Sequence, residues 1–142
     1  MKWTKQILLS VILGLLVVAA KAQSWHADDV VGTWLTADKS GQITIYKSGD
    51  KYYGKIKGGN KKEQFDVNNP DKAHRKDPLI GLVILKNFTF GGNEWKDGTI
   101  YDPNNGKTYS CMMSLTNKST LKIRGYIGFS WIGRTEVWGR VD

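Results

Sequence analysis

The sequence predicts an all-β fold, an antiparallel up-and-down barrel of about eight strands with one long loop. Short runs of alternating apolar and polar residues recur along the chain and are separated by turn-forming glycine, asparagine and aspartate. No stretch after residue 23 carries a sustained apolar period of 3.6 residues. A meander of short strands loses its exposed edges when its first and last strands pair, so closure into a barrel is favoured over a β-sandwich.

The first 22 residues are predicted to be a signal peptide that precedes the barrel. A short basic head leads into an apolar run over residues 7–20, which is shorter than the roughly 20 residues of a membrane-spanning helix. Ala20-Lys21-Ala22 then matches the small-x-small pattern of a cleavage site. Cleavage before Gln23 predicts a periplasmic or secreted domain of residues 23–142, and an uncleaved membrane anchor is the alternative.

The first half of this domain predicts three alternating strands and one uniformly apolar strand. Residues 31–36 predict the first strand, and residues 42–47 and 51–57 predict a hairpin around Ser48-Gly49-Asp50. Residues 79–85 are nearly all apolar, which indicates a strand buried on both faces. One face would meet the core, and the other would meet the polar segment that precedes it.

The second half predicts the remaining strands. Residues 99–102 and 107–115 flank an Asn-Gly turn, which tolerates the positive φ angles that tight hairpins need. Two further alternating runs, over residues 120–127 and 134–141, complete the barrel.

The polar segment 58–78 is long for a compact β domain and is predicted to hold a short helix. Asn69 is the expected N-cap and Pro70 the first helical residue. Asp66, Asn69, Asp71 and Arg75 are candidate lid residues over one barrel mouth, because long loops on rigid scaffolds often carry binding. In the structural alternative, Asp71 offsets the helix dipole and pairs with Arg75.

Gly32-Thr33-Trp34 resembles the Gly-x-Trp signature of lipocalin-like barrels. The resemblance implies that Trp34 closes one barrel end and that a basic residue of the last strand packs across its ring. Closure of an antiparallel barrel brings the end of the last strand beside the start of the first. Arg140, rather than Arg134, is therefore the residue expected over the indole.

A longer set of motifs resembles the family called domain of unknown function 2147, small exported bacterial proteins. The motifs run from about residue 30 to residue 140 and include Val31-Gly32-Thr33-Trp34, Tyr53-Gly54-Lys55-Ile56, Asn69-Pro70-Asp71 and Arg124-Gly125-Tyr126-Ile127-Gly128. The resemblance implies an exported protein with a lipocalin-like barrel. It implies no established reaction.

The charge of the chain indicates its class of partner. The formal net charge is +8, and because residues 1–22 contain three lysines and no acidic residue, the predicted mature chain carries +5. A basic exported protein meets phospholipid head groups or anionic ligands rather than nucleic acid. We therefore expect a small amphipathic or anionic ligand or an envelope surface as partner, whereas the alternative is that the charge only maintains solubility.

Candidate ligand-binding residues lie on the last three strands. Arg124 and Tyr126 share one face of the seventh strand, Arg134 and Trp138 share one face of the eighth, and Tyr109 lies on the sixth. If these faces point inward, they form a polar pocket similar to that of fatty-acid-binding barrels. If the aliphatic faces point inward, the barrel is filled and presents its polar surface to an envelope component or to another copy of itself.

Catalysis has little support in the sequence. Cys111 lies in the middle of a strand, where a buried inert thiol is usual, and the mature chain offers only His26 and His74 as a base. The acidic and amide residues between positions 97 and 105 lack the spacing of a calcium loop. Two histidines without a cysteine or acidic cluster do not indicate a metal site. The sequence favours a binding or interaction protein over an enzyme and predicts no cofactor.

Overall fold

The computed structural model describes residues 23–59 and 64–142, so the predicted signal peptide lies outside the described residues. The chain forms a closed barrel in which each strand pairs with the next and the last pairs with the first, all antiparallel. The predicted up-and-down barrel is confirmed. Its strands are β1 (Gly32–Leu35), β2 (Gly41–Ser48), β3 (Lys51–Gly59), β4 (Val83–Gly91), β5 (Glu94–Asp102), β6 (Lys107–Asn117), β7 (Thr120–Tyr126) and β8 (Gly133–Arg140).

Helical structure in the described part of the chain consists of two single 3₁₀ turns, Ala27–Val30 and Lys72–His74. No helix in the described ranges is long and apolar enough to cross a membrane.

The strand predicted over residues 79–85 begins further along the chain than its composition indicates. β4 begins at Val83 rather than at residue 79, and it continues to Gly91 before a tight hairpin leads into β5. The two turn residues, Gly92 and Asn93, have φ angles of +60° and +67°, as two-residue hairpin loops require. The two-sided burial is confirmed, because Leu85 is buried in the core and Ile84 is buried on the opposite face.

Large side chains fill the barrel interior. Trp34, Trp95, Tyr52 and Phe88 are all almost completely buried there. Glycine makes room for this packing: a Cβ at Gly98 would lie 2.6 Å from the Phe88 ring. These side chains therefore occupy interior volume that an open barrel would offer to a ligand, whereas the inward residues Ile100 and Glu136 nearer the open end are half-buried.

The N-terminal segment closes one end of the barrel. Trp25 is buried, and its backbone N–H donates to Asn93 Oδ1 at 2.7 Å. The 3₁₀ turn Ala27–Val30 lies across this end because its carbonyls accept hydrogen bonds from the barrel. Trp95 Nε1 donates to the Ala27 carbonyl at 2.9 Å, and Trp34 Nε1 donates to the Val30 carbonyl at 3.0 Å. We call this the closed end; the loops between β1 and β2, β3 and β4, β5 and β6, and β7 and β8 all lie at the opposite, open end.

The predicted contact between Trp34 and Arg140 is confirmed at the closed end. The two residues are direct partners in the pairing of β1 with β8, and the Arg140 guanidinium carbon lies 4.2 Å from the centroid of the Trp34 ring. Gly32 begins β1 with a φ angle of +144°, and a Cβ there would lie 2.3 Å from Arg140 Nη1. The glycine of the Gly-x-Trp signature is therefore needed both for its backbone conformation and for the space that the arginine occupies.

Candidate functional site

The five residues predicted to line an interior pocket do not face one space. In the pairing of β7 with β8, Leu121 lies opposite Trp138 and both are buried in the core. Arg124 lies opposite Thr135 and is three positions from Leu121, so alternation along the strand puts its side chain on the opposite, outer face of the wall. Tyr126 lies on the same outer face. This corrects the expectation that the two strands present their basic and aromatic residues to the same side.

The inward face of β8 leads from the core to the open rim. Trp138 is buried, and its Nε1 lies 3.4 Å from Glu136 Oε2. Arg134 lies at the rim, where its side chain is 87% exposed and its Nη2 lies 3.9 Å from Glu136 Oε1. Tyr109 is half-buried nearby on β6, and its hydroxyl accepts a hydrogen bond from Asn105 Nδ2 at 3.0 Å. Neither Arg124 nor Arg134 therefore supplies a cation inside the barrel.

A second candidate site lies on the outer wall, between β4–β6 and the segment 64–82 that folds back over them. We call it the loop cleft. It consists of two adjoining cavities of about 220 and 520 Å³, which share Asn69, Leu82, Val83 and Lys86. The smaller one is also lined by Ile84, Thr99, Tyr101 and Thr108, all on the outward faces of their strands.

A buried carboxylate fastens the loop to the wall of the cleft. Asp66 is 1% exposed and accepts hydrogen bonds from the Tyr101 hydroxyl at 2.6 Å and from Asn69 Nδ2 at 2.8 Å. Burial, and then the hydrogen bond to Asp66, raise the pKa of Tyr101 to about 12. The phenol therefore stays protonated and donates at neutral pH, which compensates the buried carboxylate.

The turn between β5 and β6 holds the loop at a second point. Asn68 Nδ2 donates to the carbonyls of Pro103 and Asn104 at 3.0 and 3.1 Å. Gly106, with a φ angle of +72°, allows the loop backbone to approach, because a Cβ there would lie 2.0 Å from the Asn68 carbonyl oxygen. The candidate lid is thus attached along the outer wall rather than free above the barrel mouth.

The centre of the loop differs from its prediction in three details. Its helix is a single 3₁₀ turn capped by Asp71, whose carboxylate accepts from the Ala73 N–H at 3.0 Å. Asn69, the predicted cap, instead accepts from the Asp71 N–H at 2.8 Å. Arg75 donates through Nε to the Asn69 carbonyl at 2.8 Å rather than pairing with Asp71. A three-residue turn is too short to place Arg75 one full helical turn beyond Asp71.

An imidazole at the edge of the cleft bridges two carboxylates. His74 Nδ1 lies 2.7 Å from Asp77 Oδ2, and His74 Nε2 lies 3.8 Å from Asp71 Oδ2. The hydrogen bond to Asp77, followed by the charges of Asp77 and Asp71, raises the pKa of His74. When the imidazole is protonated, its positive charge is therefore balanced by Asp71 and Asp77 of the same loop.

Lys86 is the feature of the cleft that sequence reasoning missed. It is exposed, lines both cavities and forms no ion pair with any residue in the described ranges. Alternation along β4 could have assigned Lys86 to the outer face. The apolar run 79–85 predicted that the outer face of this strand meets the polar segment, but no sequence signal extended that contact to Lys86 or showed that it encloses a cleft.

Nucleophilic and metal chemistry have no assembled site in the described part of the chain. Cys111 is fully buried in the core, and burial raises the pKa of its thiol to about 12, so the reactive thiolate is absent at neutral pH. The residues between positions 97 and 105 form turn contacts instead, such as the 2.9 Å hydrogen bond from the Asn104 N–H to Asp102 Oδ1. No group of three His, Cys, Asp or Glu residues among those described is placed to hold a metal ion.

Comparison with known proteins places this geometry in context. A family model described as "Uncharacterized protein conserved in bacteria (DUF2147)" matches residues 32–140. Among solved structures, the chain is similar to protein HP1028 from Helicobacter pylori, which is described as belonging to the lipocalin family. The two share 22% sequence identity with a TM-score of 0.74, over 79% of this chain and 82% of the other. No curated protein matches the sequence. At this identity the likeness shows a lipocalin fold alone.

Proposed function

This chain belongs to the DUF2147 family of bacterial proteins, and from that membership and the loop cleft we propose that it is an exported protein that binds a small amphipathic anion in the cleft. The ammonium group of Lys86, which forms no ion pair within residues 23–59 and 64–142 and lies beside an apolar wall, is the observation that carries the proposal. Leu82, Val83 and Ile84 form that wall. A ligand with a hydrocarbon part and one negative group would complement both features.

The packing of the barrel supports a site outside its interior. Lipocalin-like barrels suggest an internal ligand, but in this chain Trp34, Trp95, Tyr52 and Phe88 occupy the interior. The larger cavity of the cleft, about 520 Å³, lies within the range of small-molecule sites. Asp66 and Asn68 fasten the loop in place, so the cleft is formed before a ligand arrives.

The start of the barrel supports export with cleavage before Gln23. Asn93 Nδ2 donates to the Gln23 carbonyl at 2.8 Å, and Trp25 is buried in the closed end. Cleavage at this bond would leave the whole closed end intact, whereas cleavage a few residues later would remove Trp25. Intact mass and N-terminal sequencing of the protein recovered from its host test this assignment, and a mature form that retains residues 1–22 would contradict it.

The binding proposal is tested with decanoate, an amphipathic anion, followed by ¹H–¹⁵N NMR of the chain that starts at Gln23. We expect saturable shifts of the amides of Leu82, Val83 and Lys86. Loss of the charge–charge contact in Lys86→Gln should weaken binding by about fivefold or more. Lys96→Gln is the matched control, because Lys96 is an exposed lysine of β5 outside the two cavities.

Two further outcomes bear on the proposal. Decanol, with the same chain and no charge, should bind more weakly than decanoate and should not respond to Lys86→Gln. Shifts of residues inside the barrel, such as Met113 and Ile123, without shifts in the cleft would move the site to the interior and contradict the assignment.

A further inference from the structure

The loop between β7 and β8, residues 127–132, exposes large apolar side chains at the open end of the barrel. We call it the aromatic loop. Ile127 is 70% exposed, Phe129 62%, Trp131 73% and Ile132 50%. Scattered exposed apolar residues are ordinary, but four within six consecutive residues form a contiguous patch of the kind that marks an interaction surface.

The aromatic loop has a defined shape. The rings of Phe129 and Trp131 stack, with centroids 5.3 Å apart and planes inclined by 13°. The Ile132 N–H donates to the Phe129 carbonyl at 2.9 Å, which closes the tip. At its base, Arg124 Nε donates to the Ser130 carbonyl at 2.5 Å, and Arg124 Nη1 donates to Thr135 Oγ1 at 2.8 Å. Because these contacts hold the patch exposed, binding through it would cost little additional ordering.

Basic charge accompanies the patch. No acidic residue occurs between positions 124 and 135, and the loop itself carries no charge. Arg134, directly after the loop, is 87% exposed. The chain from Gln23 onward has a net charge of +5, counted from +8 with the three lysines of residues 1–22 removed. Two chains of net charge +5 repel each other, whereas an anionic surface attracts this net charge. Arg134 is the exposed cation next to the patch, with Glu136 3.9 Å from it.

We propose that the aromatic loop inserts into the interface of a bilayer that contains anionic phospholipid. Tryptophan and phenylalanine are suited to the boundary between acyl chains and head groups, because the indole combines an apolar body with an N–H donor. In this arrangement Phe129 and Trp131 enter that boundary, and Arg134 lies at the level of the phosphates. The loop would then hold the open end of the barrel against the membrane surface.

Vesicle binding of the chain from Gln23 onward, which contains every strand of the closed barrel, tests this proposal. Omitting the apolar run at residues 7–20 removes a second source of lipid affinity. We expect stronger co-sedimentation with vesicles of equal parts phosphatidylglycerol and phosphatidylcholine than with phosphatidylcholine alone. The double substitution Phe129→Ser and Trp131→Ser should reduce partitioning by about tenfold or more, because binding scales with the buried apolar area. Arg134→Gln should reduce the preference for anionic vesicles by about fivefold.

The controls separate insertion from other causes. Val137→Ser removes an exposed apolar side chain from the barrel wall and should leave partitioning unchanged. Lys96→Gln, which removes a positive charge near the closed end and outside the loop cleft, should also leave it unchanged. Trp131 fluorescence should shift to shorter wavelength with vesicles, and the Trp131→Phe variant should lose that shift.

Three results would overturn the proposal. The first is equal partitioning of the double variant and the unmodified chain, provided that both give the same circular dichroism spectrum and unfolding temperature. The second is equal affinity for neutral and anionic vesicles. The third is a concentration-dependent dimer in sedimentation velocity that disappears in the double variant, because the occupant of the patch would then be a second copy.

Discussion

The guanidinium of Arg140 joins the last strand to the first by lying across the ring of Trp34. Each of its three nitrogens donates a hydrogen bond to a backbone carbonyl: Nε to Lys118 at 2.7 Å, Nη1 to Val31 at 2.9 Å and Nη2 to Asp29 at 2.5 Å. One side chain therefore fastens the last strand to the turn between β6 and β7, to the start of β1 and to the segment that closes the barrel.

We predict that Trp34→Ala destabilises the protein by about 3–5 kcal/mol, as expected for truncation of a large buried side chain. Arg140→Ala should cost about 2–3 kcal/mol, because it removes charge-assisted hydrogen bonds as well as the ring contact. Arg140→Lys should recover only part of this loss, since an ammonium group cannot stack or form the same fork. Urea unfolding of the double-mutant cycle should give a coupling above about 0.5 kcal/mol, and additive effects would contradict a direct contact.

The buried carboxylate of the loop cleft gives a second prediction. Asp66→Ala leaves Tyr101 and Asn69 without their acceptor and should cost about 1–3 kcal/mol. Hydrogen exchange of residues 64–82 should accelerate more than exchange of the barrel strands, because Asp66 fastens the loop to β5. Tyr109→Phe is the control and should change neither, because within the described residues this hydroxyl is hydrogen-bonded only to Asn105 of an exposed turn. Uniform acceleration across all strands would show a global role instead.

The pH dependence of the loop follows from His74. Its pKa in the folded state is raised, so its stabilising contribution is complete below the ordinary histidine pKa of about 6.5 and is lost as the pH rises through the raised value. NMR titration of the imidazole should give a pKa above about 6.5, and Asp77→Asn should lower it, because Asp77 supplies the hydrogen bond. A titration of His74 that is the same in both proteins would refute this assignment.

The single cysteine should behave as a probe of global unfolding. The Cys111 thiol is buried and its pKa is raised to about 12, so a disulfide reagent at pH near 8 should not modify the folded protein. We expect modification at the rate of unfolding and complete modification in concentrated urea. Rapid modification of the native state would mean that the barrel opens locally beside β6, on the side of β5 or of β7.

Sequence reasoning was most successful where local pattern and closure geometry act together. Alternation placed β2 and β3, and the rule that the first strand meets the last selected Arg140 over Arg134. The hairpin between β4 and β5 was missed although Gly92-Asn93 is a two-residue turn signal, because the polar pair Lys86-Asn87 interrupts the apolar run that the sequence predicts to end at residue 85. Its register depends on the burial of Phe88 and Trp95 in a core that exists only in the folded barrel.

The residues of the candidate site were harder to predict from the sequence than the fold was. Period-two alternation shows that Arg124 and Ile123 lie on opposite faces, but it does not show which face is inward when both faces carry large side chains. On β7 the aliphatic face is inward, and on β8 the inward face carries Trp138 and Glu136. The cleft at Lys86 depends on the path of the loop, which is set by contacts of Asp66 and Asn68 with residues about 35 positions away along the chain.

The pairing of β1 with β8 determines when the barrel can close as the chain is synthesised. The Thr33 N–H donates a bifurcated hydrogen bond to the two carboxylate oxygens of Asp142, across a separation of 109 residues. Contacts this distant along a chain form late and slow the folding rate. A chain that emerges with its N-terminus first cannot close its barrel until residues 133–142 are free. Under the export proposed above, a translocation channel would therefore receive the chain before its barrel has closed.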